Sequence, residues 1–274
     1  EVADHVTPPL DADIGAMGGG VTPNTQLAKE AGRKLGLRGP IVIDKHLRTS
    51  APHVWAVGDA TGLSEKAATQ AGISHDSVIL HPASHAGYYP GAAPMEMKIV
   101  FFPEGGRILG AQIVGKEGVD KRIDVLATAI SAHMTADDLA QLDLAYAPPY
   151  SSAKDPVNMA GYVIGNVLAG REKIFHTADV DKLPRDGSVF LLDCRTSAEY
   201  ARGHMEGFVN IAVDDLREHL GEIPRDRPVY VTCQVGLRGY IACRILSGND
   251  IDCYNLTGGY GFWHAVQQGG VLRA

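Results

Sequence analysis

Two hydrophobic rhythms divide the chain. In the last hundred residues, short β-branched runs alternate with amphipathic stretches. SVFLLD (188–193), VYVTC (229–233) and DCYNL (252–256) read as buried strands, and SAEYARGH (197–204), GYIACRILSG (239–248) and YGFWHAV (260–266) as helices. That alternation predicts an α/β unit with a parallel sheet. Residues 63–170 follow another pattern. MEMKIVFF (95–102) and RILGAQIVG (107–115), joined by PEGG, predict a hairpin. A helix is expected over 117–134 with Ile123, Leu126, Ala127 and Ile130 on one face. Thr135 and Asp138 have capping-box spacing, which starts a short helix. Asp155 as N-cap, Pro156 at the first helical position and Gly170 past the end frame another, with a stripe of Val157, Ala160, Ile164, Val167 and Leu168. A hairpin backed by helices is an α+β unit. At the front, IVID (41–44) and VWAVGD (54–59) suit buried strands of an α/β domain, with TSAPH as the turn between them. The fold class expected is therefore α/β and α+β in three parts, 1–62, 63–170 and 175–274, with the charged REKIFHTADVDKL from Arg171 as a linker.

A formal charge of −7 with no offsetting basic patch argues against nucleic-acid binding. No apolar stretch approaches the roughly 18 residues of a membrane span. The opening EVADHVTPPLDADIG lacks both a signal-peptide layout and an initiator Met, so a cytoplasmic chain with part of its N-terminus missing is expected. The glycine-rich GAMGGGVTPNT (15–25) does not fit a dinucleotide fingerprint. All four cysteines, Cys194, Cys233, Cys243 and Cys253, fall in the last third, at spacings that match no CxxC pair and beside no His cluster, so no metal site is expected. Free Cys is most often a small core residue, and the question is whether Cys233 is the exception.

Cys233 ends an apolar strand and precedes a glycine-bearing loop and a helix. A strand–loop–helix unit aims backbone N–H groups at one point, beneath the positive end of the helix dipole. A thiol there ionises more readily. Gly236 lets the loop curl and Arg238 supplies a cation, so Cys233, Gln234, Val235, Gly236, Leu237 and Arg238 form a cradle for a thiolate or persulfide. The spacing is C-x4-R, one residue tighter than the C-x5-R of cysteine phosphatases, and it suits a single terminal sulfur. The plain alternative is an unreactive strand-end cysteine.

LLDCRTSAEYARGHMEGFVNIA (191–212), CQVGLRG (233–239) and NLTGGYGFW (255–263) together resemble a rhodanese-type sulfurtransferase domain. The resemblance implies that Cys233 attacks a sulfane sulfur donor and carries the sulfur as a persulfide. It also implies that Asp193 with Arg195 braces the catalytic loop, and that His204 and Glu206 fix local structure. Cys194 departs from the usual Val there and reads as a buried small residue rather than a second nucleophile.

The front resembles another family. HPASHAGYYPGA (81–92), GRILGAQIVGKEGVDKRIDVLATAI (106–130) and LAYAPPYSSAKDPVNMAGYV (144–163) are similar to the dimerisation domain of coenzyme A-disulfide reductases, in the rhodanese-fused form of NADH-dependent persulfide reductases. TSAPHVWAVGDA (49–60) resembles that family's second flavin motif, which assigns Gly58 and Asp59 to the flavin. GGGVTPNTQLAKEAG (18–32) resembles the end of its NADH domain. The intact family uses FAD, NADH and coenzyme A, and its active-site tyrosines match Tyr88 and Tyr146, with Tyr89 and Tyr150 as rivals. The flavin and NADH fingerprints and the redox cysteine are absent, and GDA runs straight into TGLSEKAATQAG, where relatives carry a further helix and the first strand of the dimerisation sheet. No cofactor is therefore expected for this chain alone. The resemblance implies a homodimer that handles coenzyme A persulfide, glutathione persulfide or thiosulfate and thiol acceptors. The competing readings are an FAD- and NADH-dependent reductase and a non-catalytic binding or dimerisation module.

Overall fold

The computed structural model describes residues 62–269. The expected strands at 41–44 and 54–59, the glycine-rich segment, Gly58 and Asp59 lie outside them. The chain divides into two compact units, residues 1–165 and 166–274.

In the first unit, helix α1 (Glu65–Gln70) starts at Ser64, whose Oγ accepts from the Ala67 N–H at 3.1 Å. Strands β1 (Asp76–Leu80), β2 (Met95–Phe101) and β3 (Ile108–Gly115) form an antiparallel sheet in that order. The expected hairpin is β2–β3, with a register shift between Val100 and Phe101. Strand β1, a short DSVIL run to which the sequence reading gave no element, pairs with β2 through Val78 opposite Ile99. Alternate residues Met95, Met97, Ile99 and Phe101 are buried, as the period of a strand requires. Helix α2 (Val119–Ser131) packs on β3.

Its boundaries are tighter than the expected 117–134, because Gly118 is left-handed (φ 73°) ahead of it. Ala127 and Ile130 are only half-buried, whereas Arg122 and Ala129 are buried. The reason is electrostatic. Arg122 Nη2 donates to Asp155 Oδ2 at 3.0 Å and to Ser151 Oγ at 3.3 Å, and Ser151 Oγ donates to the same Asp155 oxygen at 2.7 Å. That ion pair turns the inward stripe of α2 toward Arg122. The capping box forms as expected at α3 (Ala136–Gln141), with Thr135 and Asp138 each accepting the other's backbone N–H. Helix α4 (Pro156–Leu168) opens with the Asp155 carboxylate accepting from the Val157 N–H at 3.0 Å. Val157, Ala160 and Ile164 are buried, but Leu168 is exposed, which corrects the expected stripe at its last turn.

The second unit is a five-stranded parallel sheet in the order β4-β8-β7-β5-β6. Its strands are β4 (Ile174–Phe175), β5 (Phe190–Asp193), β6 (Val209–Asn210), β7 (Val229–Thr232) and β8 (Cys253–Leu256). Helices α5 (Ser197–Arg202), α6 (Leu237–Ser247) and α7 (Gly259–Gly269) alternate with them. The segment expected to be a linker is instead part of this fold. It supplies edge strand β4 and a 3-10 helix (Thr177–Lys182), with Glu172, Phe175 and Val180 buried. Period-2 alternation builds two cores. Leu192, Val231 and Cys253 face Ala242 and Leu246 of α6, while Leu191, Tyr230 and Tyr254 face the side of Tyr260 and Trp263 of α7.

Candidate active site

Strand β7 delivers Cys233 to the C-terminal edge of the sheet, the usual place for chemistry in such folds. The chain then turns through Gly236, whose φ of 98° suits glycine, straight into α6. The helix starts at Leu237, two residues before the expected Gly239, so Arg238 stands in its first turn. Cys233 Sγ accepts from the Gly236 N–H at 3.1 Å, with further backbone donation from Val235 and Gly239. The Cys194 thiol donates to it from the neighbouring strand end. That donor is the largest influence on the sulfur. With the backbone amides it outweighs the opposing effect of burial and lowers the Cys233 pKa from 9.0 to about 6. Cys194 moves the other way, its pKa raised well above the ordinary value by the same contact and by burial.

The loop is fastened from three sides. The N–H of Tyr260 donates to the Cys233 carbonyl at 2.7 Å, and that of Gly261 to the Gln234 carbonyl at 2.9 Å. Asn255 Nδ2 donates to the Gly236 carbonyl at 3.0 Å and to Glu172 Oε1 at 2.7 Å. Arg195, bidentate to Asp193 (2.7 and 3.0 Å) and stacked 3.8 Å over Tyr260, reaches Gln234 Oε1 at 3.4 Å. Gly259 is left-handed (φ 66°), and a Cβ there would meet the Cys233 carbonyl oxygen at 2.5 Å and the Val235 nitrogen at 2.8 Å.

Arg238, expected as a cation near the thiolate, is held chiefly by Glu199, with the charge of Cys233 a lesser influence on it. Its guanidinium is bidentate to Glu199 at 2.7 and 2.8 Å, and that hydrogen-bonded pair holds the Glu199 pKa at about 2. Glu199 is also the last member of the capping box that opens α5. The direct contacts to Sγ come from backbone amides and Cys194. His204 stacks on Tyr200 at 3.9 Å, Glu206 offers its carbonyl to Arg185 at 3.1 Å, and Val235 and Leu237 present exposed apolar side chains beside the loop. Sequence reasoning missed Glu199, Asn255, Glu172 and Gly259 as loop supports. A TxxE capping signal marked Glu199, and a polar residue inside a strand marked Asn255.

In the first unit the Tyr88 and Tyr146 hydroxyls meet at 2.9 Å on the surface, with Tyr89 and Tyr150 also exposed. Hydrogen bonding to Tyr88 raises the Tyr146 pKa. Among the described residues no His, Cys, Asp and Glu cluster could hold a metal ion, and no helix is long and apolar enough to cross a membrane.

Residues 176–266 match the rhodanese-like domain, residues 56–156 the pyridine nucleotide-disulphide oxidoreductase dimerisation domain, and residues 2–77 the pyridine nucleotide-disulphide oxidoreductase domain. The chain joins a rhodanese-like domain to oxidoreductase domains. Coenzyme A disulfide reductase of Staphylococcus epidermidis is 28% identical over 205 residues, 55% of this chain and 47% of the relative. The reduced CoADR-RHD of Bacillus anthracis superposes with a TM-score of 0.74 at 37% identity, covering 91% of this chain and 55% of that one. A NAD-dependent persulfide reductase from A. fulgidus gives 0.66 at 34% identity, with 89% and 54% covered. The chain thus spans about half the length of the relatives it matches. In the rhodanese-like domain, Cys233 and its loop are the chemically poised feature.

Proposed function

We propose that Cys233 takes a sulfane sulfur from a donor, holds it as a persulfide and passes it to a thiol acceptor. The observation that carries this reading is the Gly236 N–H donating to the Cys233 sulfur at 3.1 Å, at the strand end just ahead of the first turn of α6. The thiolate attacks the donor's outer sulfur, the donor's S–S bond breaks with release of its thiolate (or of sulfite from thiosulfate), and the loop amides stabilise the anionic persulfide that results. Coenzyme A persulfide, glutathione persulfide and thiosulfate are the donor classes, and the dimerisation-domain match supports a homodimer. Four reduced thiols suit a cytoplasmic setting. The test is thiocyanate formation from thiosulfate or glutathione persulfide with cyanide. Cys233→Ala should abolish it, and full activity in that variant would refute the assignment.

A second reading, reduction of a coenzyme A disulfide or persulfide with FAD and NADH, is favoured by the relatives' names and by the match of residues 2–77. In the intact parent protein Tyr88 and Tyr146 would then stand beside the partner subunit's reacting thiol, which the sequence here does not include. Gly58 and Asp59 would serve the flavin, which supplies electron transfer when bound. Flavin absorbance in the purified protein and NADH oxidation dependent on a coenzyme A disulfide would support it; a colourless protein inert to NADH supports the sulfur-transfer reading alone.

A further inference from the structure

Cys194 and Cys233 stand side by side, one step beyond the last paired positions of two adjacent strands. Asp193 lies opposite Thr232 in the parallel ladder, and the Cys194 N–H continues it by donating to the Thr232 carbonyl at 2.9 Å. Neighbouring strands are about 4.8 Å apart, inside the roughly 4.4–6.8 Å Cα separation that a disulfide spans. Both side chains are fully buried in one cluster. Cys194 is as buried as Cys233, and its neighbour across the strand pair is the Cys233 sulfur. The loop amides approach that sulfur from the α6 side, whereas Cys194 approaches from β5.

We propose that Cys194 is the resolving thiol of this site: it attacks the inner sulfur of a Cys233 persulfide, closes a Cys194–Cys233 disulfide and expels the carried sulfur as hydrosulfide. This rests on the sulfur-carrier reading above. The new bond joins the two Sγ atoms, and the bond that breaks is between Cys233 Sγ and the outer sulfur. The outer sulfur takes the Cys194 proton and the bonding electron pair and leaves as HS⁻, reduced, while the Cys194 sulfur is oxidised. A low-molecular-weight thiol or dithiol then reopens the disulfide by exchange and is itself oxidised. The site thereby converts sulfane sulfur to sulfide as well as relaying it. A second thiol pair, Cys243 and Cys253, is also in contact but lies outside the loop, and serves as an internal comparison.

The test uses the full chain, loaded with glutathione persulfide and freed of donor by gel filtration. Sulfide is then followed colourimetrically and peptides by mass spectrometry. The expected result is release of the bound sulfur as sulfide, with peptides bearing residues 194 and 233 linked and two hydrogens lost, and no link between 243 and 253. In Cys194→Val and Cys194→Ala the sulfur should remain on Cys233 about tenfold longer or more, since an adjacent thiol gains a large effective concentration. A parent chain that keeps its adduct as long as these variants, without the 194–233 link, overturns the proposal; this readout on the parent needs no variant to fold. An adduct on Cys233 in Cys194→Val upholds the carrier reading whatever Cys194 does. Absence of an adduct from every form refutes the carrier reading, and this step with it.

Discussion

Replacing Gly259 by alanine tests whether the Cys233 loop is positioned by the start of α7. The new methyl would sit 2.5 Å from the Cys233 carbonyl oxygen and 2.8 Å from the Gln234 carbonyl carbon and Val235 nitrogen, all backbone atoms with no flexible end to swing away. Ordinary contact begins near 3.4 Å, so the loop must retreat by roughly 1 Å. That movement pulls on the bond from the Tyr260 N–H to the Cys233 carbonyl and misaims the amides that hold the thiolate. A misplacement of about 1 Å costs on the order of 10²-fold in rate, and this loss is expected in kcat/KM for thiocyanate formation. The left-handed backbone adds a separate cost of about 1–2 kcal/mol in stability. Gly170 isolates it: its φ of 64° is nearly the same, but a Cβ there meets nothing within 4 Å. Gly170→Ala should therefore lose stability without losing rate. If Gly259→Ala transfers sulfur within about twofold of the parent while remaining folded, the loop is not held in the way described.

Three further outcomes are expected. Sulfur uptake by Cys233 should rise with pH about a midpoint near 6, read as thiolate absorbance in the parent minus Cys233→Ser. Because this pKa lies below the unfolded value of 9.0, ionisation stabilises the fold increasingly as pH climbs from about 6 to 9 and not at all below that window; a midpoint near 9 would refute the cradle. Arg122→Ala should cost about 3–5 kcal/mol in chemical denaturation, because it strips the buried Asp155 carboxylate of its guanidinium. Burial raises the Asp155 pKa, but the Val157 amide, Ser151 and Arg122 together hold it low, so its contribution should fade as pH falls through the folded value; a loss under about 1 kcal/mol would show the pair to be dispensable. Burial raises the Glu172 pKa against the Asn255 hydrogen bond, so stability should fall as pH rises upward from the unfolded value of 4.5; Glu172→Gln should remove that slope, and a slope unchanged in the variant would place its origin elsewhere.

The parallel α/β unit was legible because its strands are continuous apolar runs and its helices begin at readable signals such as TSAE before α5. Edge strand β4 escaped notice because two residues carry no period, and its surroundings, Arg171 to Lys173, are charged. Strand β1 was hidden for a similar reason, with five residues and no turn signal resembling that of the β2–β3 hairpin. At the site, Cys233 and the turn at Gly236 could be read from local order along the chain. The supports could not, because Glu172, Asn255 and Gly259 reach the loop across the sheet and only tertiary packing joins them. Arg122 illustrates the opposite failure, since helical spacing offers an inward position to apolar residues before an arginine paired in trans.

The outermost strands of the parallel sheet, β4 and β6, are two residues each. Foreign chains zip onto folded proteins by extending long unpaired ribbons of N–H and C=O groups, and stubs of this length leave them almost no purchase. The rhodanese-like domain can therefore be tethered beside other domains, at high local crowding, without inviting amyloid-like growth from its flanks.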